Sequence, residues 1–201
     1  MKMNDKCLHI PLKNWLILLL VVLLGLFVLS ACGTSASSVA EVAASPAAAY
    51  CEEQGGVVQT RYPAYGTNTP ASMVRLAGTH DFCKFTADDG SRIYIGLDTL
   101  YTDQPTLAAL AYLNPPEPNE NESLVNPASL YCTQLGGSDL FGGVNAAGGA
   151  WVLDDDPDDA FLEACIFPDL STIDSWGILY HQGGGIRGTD LGAVMRFQPA
   201  Q

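Results

Sequence analysis

Three kinds of hydrophobic pattern succeed one another along this chain. From Leu16 to Ala31 every position is apolar or small, "LILLLVVLLGLFVLSA". Further on come two short stretches with apolar residues at helical spacing, "SPAAAYCEEQGG" (45–56) and "NPASLYCTQLGG" (126–137). In the second, Ala128, Tyr131, Cys132 and Leu135 share one helical face; in the first, Ala47, Tyr50 and Cys51 match and Gln54 breaks the stripe. Ser45 and Asn126 suit a helix N-cap, with Pro46 and Pro127 at the first helical position. The pairs Gly55-Gly56 and Gly136-Gly137 suit the stop. Each stretch predicts a helix of about nine residues. After each, the pattern turns to β-formers. The first half gives "VVQTRY" (57–62), "SMVRLA" (72–77), "FCKF" (82–85) and "RIYIGL" (92–97); the second gives "GAWVL" (149–153), "FLEACIF" (161–167) and "IDSWGILY" (173–180). Gly, Pro and Asp punctuate these runs as hairpin turns. "DQPTLAALAYL" (103–113) predicts a further short helix capped by Asp103, and "NPPEPNENES" (114–123) has linker composition.

The motif Tyr-Cys-x-x-x-Gly-Gly thus opens two copies of one unit. Cys51 and Cys83 are separated by 32 residues, Cys132 and Cys165 by 33. Four cysteines allow three pairings, and the shared spacing favours Cys51 with Cys83 and Cys132 with Cys165. Such a bridge contributes about 3–4 kcal/mol by loop closure. A zinc site is disfavoured by the absence of a close Cys-x-x-Cys pair or a histidine cluster. The expected fold class is α+β: two tandem small modules, each a short helix plus a three- to four-stranded antiparallel sheet stapled by one disulfide. The first module is expected at 45–113 and the second at 126–201, with 114–125 as linker.

The leader changes the picture of location. Lys2, Lys6 and Lys13 precede the apolar run, which ends Leu29-Ser30-Ala31-Cys32. This is the shape of a bacterial lipoprotein signal over 1–31, with Cys32 as the lipidated first residue and 32–44 as a small-residue tether. The rival is an uncleaved signal-anchor helix. Both place the rest of the chain outside the cytoplasmic membrane, where disulfides form. Without the leader the chain keeps 6 basic and 21 acidic side chains, a net charge of −15. That excess disfavours nucleic acid as a partner. The expected partners are the membrane, through the N-terminal lipid, and an unidentified envelope protein or wall component.

Copy two, with Asn126-Pro127-Ala128, Tyr131-Cys132, Gly136-Gly137, Cys165-Ile166-Phe167-Pro168-Asp169, Ser171 and Trp176, resembles a bacterial envelope-lipoprotein domain of unknown function often labelled hemolysin. Copy one keeps Pro46, Ala47, Tyr50, Cys51, Gly55, Gly56, Cys83, Phe85, Asp89, Gly90 and Ser91, but no tryptophan. The resemblance implies a Trp-containing strand after the Asp-x-Ser turn. It brings no catalytic residues. A pore former would need a long amphipathic helix or a membrane-crossing hairpin, and nothing after Cys32 supplies one.

Chemical constellations are sparse. His80 and His181 are the histidines beyond the leader, and no Gly-x-Ser-x-Gly nucleophile turn accompanies them. "DDDPDD" (154–159) alternates Asp154, Asp156 and Asp158 like the start of a calcium loop, but Asp159 and Cys165 stand where glycine and a bidentate glutamate belong. It is a weak candidate calcium site and is expected to be a solvated hairpin tip. Trp151, Trp176, Tyr180 and Tyr131 are expected in the core rather than in a groove. "HQGGGIRG" (181–188) lacks a P-loop lysine and reads as a turn. No cofactor is expected. The chain therefore reads as a lipid-anchored, non-catalytic binding or structural protein of the envelope, with a protease inhibitor as the alternative and a hydrolase or hemolysin behind it.

Overall fold

The computed structural model describes residues 45–119, 126–139, 148–153, 156–161 and 163–199, with backbone alone at Pro70 and 156–159. The leader, Cys32, the tether and Asp154 lie outside the described residues, as do the side chains of Asp156 and Asp158. The chain folds as helix α1 (Pro46–Glu53), strand β1 (Val57–Tyr65), a 3₁₀ turn (Pro70–Ser72), β2 (Val74–Arg75), β3 (His80–Thr86), β4 (Arg92–Gly96), α2 (Leu97–Tyr101) and α3 (Leu107–Leu113). There follow α4 (Pro127–Gln134), β5 (Ser138–Asp139), β6 (Gly149–Leu153), β7 (Asp156–Phe161), β8 (Ala164–Ile166), β9 (Thr172–Asp174), α5 (Ser175–Gln182) and α6 (Leu191–Val194).

Both motif helices form as the sequence implies. The Ala48 amide donates to Ser45 Oγ at 3.1 Å, and Asn126 Oδ1 accepts from the Ala128 amide at 2.9 Å. The two disulfides join each helix to a strand: Cys51 to Cys83 in β3, Cys132 to Cys165 in β8. The glycine pair has two distinct jobs. Gly55 (φ +84°) and Gly136 (φ +86°) end the helices in the left-handed region, where a Cβ is penalised. Gly56 and Gly137 lie against the sulfurs. A Cβ on Gly56 would overlap Cys83 Sγ and sit 2.9 Å from Cys51 Sγ; one on Gly137 would overlap Cys165 Sγ and sit 3.0 Å from Cys132 Sγ.

The Asp-x-Ser turns also correspond. In each, the serine amide donates to the aspartate Oδ1, Ser91 to Asp89 at 2.8 Å and Ser171 to Asp169 at 3.1 Å. Gly90 (φ +81°) and Leu170 (φ +65°) occupy the same left-handed place. Leu170 is a β-turn leucine that is 75% exposed.

All strand pairings are antiparallel, in the order β5-β8-β9-β4-β3-β1-β6-β7, with β2 also on β1. β4 pairs with β9 through Ile95 and Ile173, so one sheet runs across both motif copies. One core does too: Cys51, Phe85, Ile93 and Ile95 pack with Tyr131, Cys132, Cys165, Ile173 and Ile178 on the helix-covered face. By strand alternation the other face carries Phe82 and Tyr94, which cluster with Trp151, Phe161 and Ala164. The sheet curls over that face. Its long strand β1 pairs with β3 through 57–61 and with β6 through 62–65, and only two residues separate Phe161 at the end of β7 from Ala164 at the start of β8.

Several sequence expectations change. Residues 173–180 are not a strand: β9 stops at Asp174, whose Oδ1 accepts from the Gly177 amide at 3.1 Å and caps α5. Trp176 is therefore helical, contrary to the strand implied by the resemblance. The helix expected from Asp103 begins at Leu107, capped by Thr106 Oγ1. β2 shrinks to two residues, and 156–159 lie in β7 rather than at a hairpin tip. The described part of the linker is bonded to copy two: Tyr131 donates to the Pro116 carbonyl, and Gln182 Nε2 to Glu117 Oε2 at 2.7 Å. Among the described residues no helix is long and apolar enough to cross a membrane.

Two stability outcomes follow from this geometry. Gly56→Ala should cost on the order of 2 kcal/mol, because the methyl must displace a disulfide fixed at both ends. Leu170→Asn should raise stability by about 0.5–1 kcal/mol, since asparagine tolerates the left-handed turn better. Urea unfolding of both variants measures these shifts.

Candidate functional site

The curl buries charge. Among the described residues the buried charged side chains are Arg61 (0% exposed), Glu163 (6%) and Asp174 (5%). Each comes from a strand or strand end where an apolar residue would be ordinary. Arg61 lies in β1. Its Nε and Nη2 donate to Gln59 Oε1 at 3.0 and 2.7 Å, its Nη1 donates to the Trp151 carbonyl at 3.0 Å, and its guanidinium lies 5.0 Å from the Tyr94 ring centroid. Tyr94 stacks on Phe161 with centroids 4.2 Å apart, and Phe82 meets Phe161 edge-on at 5.2 Å. These rings come from β3 and β4 of copy one and from β7 of the β6–β7 excursion.

Beside them opens a cavity of about 350 Å³. Its lining includes Arg92 and Tyr94 of β4 together with Phe161, Glu163, Asp174, Trp176 and Arg187. The wall thus joins the two copies across the β4–β9 seam. Glu163 Oε1 accepts from Asn126 Nδ2, the side chain that caps α4, while the Glu163 carbonyl accepts from the Ser175 amide at 3.0 Å. Glu163 Oε2 is buried and has no hydrogen-bond partner. The Trp176 side chain also lies beside this carboxyl and favours its charged form, but makes no hydrogen bond to Oε2.

The electrostatics follow from burial. Glu163 is pushed up to about 7, first by desolvation and then by the like charges of Asp139 and Asp174; the Asn126 and Trp176 side chains pull the other way. Asp174 is raised to about 6 by burial, against the Gly177 amide and the Arg187 charge. Asp139, at the β5 end, accepts from Ser175 Oγ at 3.2 Å. Burial therefore outweighs the helix-cap bond at Asp174, as expected where a carboxylate loses water.

The residues singled out from sequence scatter. Cys51, Cys83, Cys132 and Cys165 form the two bridges. Trp151 and Tyr131 are buried in the core, Tyr180 is half-exposed, and Trp176 alone of the four lines the cavity. His80 packs 4.6 Å from Phe82 and 5.8 Å from Trp151, and burial lowers its pKa despite Asp81 and Asp98. His181 stacks on Tyr112 at 3.9 Å, and its Nδ1 is buried without a partner. The two histidines sit in different clusters. Among the described residues no three His, Cys, Asp or Glu side chains converge as metal ligands. Arg61, Glu163, Asp174 and Arg187 were not singled out from sequence. The available signal was one charged residue inside each of the apolar runs "VVQTRY", "FLEACIF" and "IDSWGILY".

The raised carboxyls make stability fall with rising pH. The folded state holds protons on Glu163 between about pH 4.5 and 7, and on Asp174 between about 3.8 and 6, that the unfolded chain has released. Arg187 opposes the effect at Asp174, and Asp139 reinforces it at both. Glu163→Gln should therefore reduce the stability lost between pH 5 and pH 8 by on the order of 1–2 kcal/mol. Urea unfolding at the two pH values checks this; equal losses in both proteins would remove the burial argument for Glu163.

No protein-family model, curated protein or solved structure matches this chain.

Proposed function

We propose that this protein is a lipid-anchored, extracytoplasmic, non-catalytic binding protein of the bacterial envelope, and that its seam cavity takes a small polar ligand. In this reading the chain is two tandem copies of one stapled unit, related to the envelope-lipoprotein domain it resembles. Equivalent helix caps, disulfides, glycine pairs and Asp-x-Ser turns in the two halves support the duplication. Two disulfides suit an oxidising compartment, and the Leu29-Ser30-Ala31-Cys32 leader suits lipidation at Cys32.

The observation that carries the binding reading is the buried Glu163 oxygen without a partner in the wall of an open cavity. An unmet buried acceptor costs about 1–3 kcal/mol, which a bound donor would offset. A binding site rather than a folding defect accounts for its placement among aromatic and cationic groups. The second reading is a hydrolase using Glu163 and Asp174 as a carboxyl pair, favoured by their raised proton affinities. The two part on substitution, because a hydrolase would lose turnover in Glu163→Gln while a binding protein has none to lose. A protease inhibitor needs an extended exposed segment for a cleft; the most exposed apolar tip described, Leu170, is instead in a left-handed turn.

Anchoring and stapling are tested together on protein taken from membranes. Intact mass should show a chain beginning at a lipid-modified Cys32, with no reactive thiol before reduction and four after it. Cys32→Ala should move the protein out of the lipid-modified membrane fraction. An unprocessed leader with free Cys51 and Cys83 would overturn the reading.

A further inference from the structure

The cavity wall holds two kinds of charge in one small space. Glu163 and Asp174 supply carboxylates, one of them with an unsatisfied oxygen; Arg92 and Arg187 supply guanidiniums on the same lining. A plain cation would meet both arginines, and a plain anion would meet both acids. A neutral ring such as a sugar could lie near Trp176, but it carries no charge to match Arg92 and Arg187. Tyr94 offers it little platform, being engaged by Phe161 at 4.2 Å and by Arg61 at 5.0 Å. A metal ion lacks a third ligand among the described residues.

Resting on the binding reading above, we propose that the seam cavity recognises a small zwitterion, an α-amino acid or dipeptide. Its ammonium group donates to Glu163 Oε2, with Asp174 behind, and its carboxylate faces Arg187 and Arg92. Three features favour this occupant. The ammonium supplies the donor that Glu163 Oε2 lacks, and it can also lie near the Trp176 ring. Guanidinium groups match carboxylate geometry, and Arg187 stands within electrostatic reach of Asp174 and Asp89, with its guanidinium 5.2 Å from the Tyr180 ring centroid. The volume of about 350 Å³ lies at the small end of ligand sites and suits one or two residues.

The lining comes from both copies. Arg92 and Tyr94 come from β4 of copy one, while Glu163 before β8, Asp174 at the end of β9 and Arg187 belong to copy two. Copy two thus carries both charges, and copy one adds a second guanidinium from across the seam.

The test is calorimetric titration of the detergent-solubilised full chain with L-alanine, L-phenylalanine, alanyl-alanine, methylammonium, acetate and N-acetylglucosamine. The expected result is saturable binding of at least one amino acid or dipeptide, at least tenfold tighter than methylammonium or acetate. Glu163→Gln places an amide donor where the ammonium must donate, so it should weaken that binding at least tenfold; Arg187→Gln should do the same. Unchanged far-ultraviolet dichroism and an unreactive set of thiols would show both variants folded. Binding of N-acetylglucosamine alone, lost in Glu163→Gln, would overturn the zwitterion while keeping the small-ligand site. Amino-acid binding that survives both substitutions would also overturn it. Silence from every probe would overturn the zwitterion and count against the cavity as a binding site.

Discussion

The close approach of a glycine backbone to a disulfide organises this protein. In each motif copy the helix ends on a left-handed glycine, and the next glycine passes directly over the two sulfurs. A Cβ on the second glycine would overlap a sulfur, while the first has open space and is favoured as glycine by its left-handed φ alone. The exit from the helix is fixed with them, because the chain must leave along the strand that neighbours the bridged one. From α1 it enters β1 beside β3, and from α4 it enters β5 beside β8. A helix packed on a strand by hydrophobic contact alone could slide; one bridged by sulfur and overlaid by backbone cannot without steric overlap.

Joining the two stapled halves creates what neither has. The β4–β9 pairing places Ile95 against Ile173 and lets one core pass beneath both copies. The excursion through β6 and β7 then extends the sheet on the β1 side and returns its end next to β8. The second face of the sheet is enclosed as a result. Arg61, Glu163 and Asp174 are carried out of water, and burial shifts both carboxyls toward neutral pH. Burying charge is costly unless partners replace water. Arg61 has Gln59 and the Trp151 carbonyl; Glu163 has Asn126 on one oxygen and none on the other. That asymmetry connects packing to the proposed binding role.

Local features were legible where one residue type answers one local need. Ser45 and Asn126 cap helices because their side-chain oxygens meet free amides, and the cysteine pairing followed from matched spacing. The run 173–180 was misread because "IDSWGILY" is rich in β-formers. Asp174, read there as one polar strand position, caps a helix. The site was harder still. Glu163 and Asp174 are eleven residues apart in a stretch whose periodicity says only that most of it is buried.

The sequence by itself determined the two helix–glycine–cysteine units, their bridges and the polar turns, because each depends on contacts within about 35 residues or on backbone preferences of single residues. Only the tertiary structure decided that the units share a sheet and core, that the sheet curls over its second face, and that Arg61, Glu163 and Asp174 become buried charges beside Trp176 and Arg187. The physical reason is that desolvation is a property of what surrounds a side chain, and here the surroundings come from strands up to a hundred residues apart.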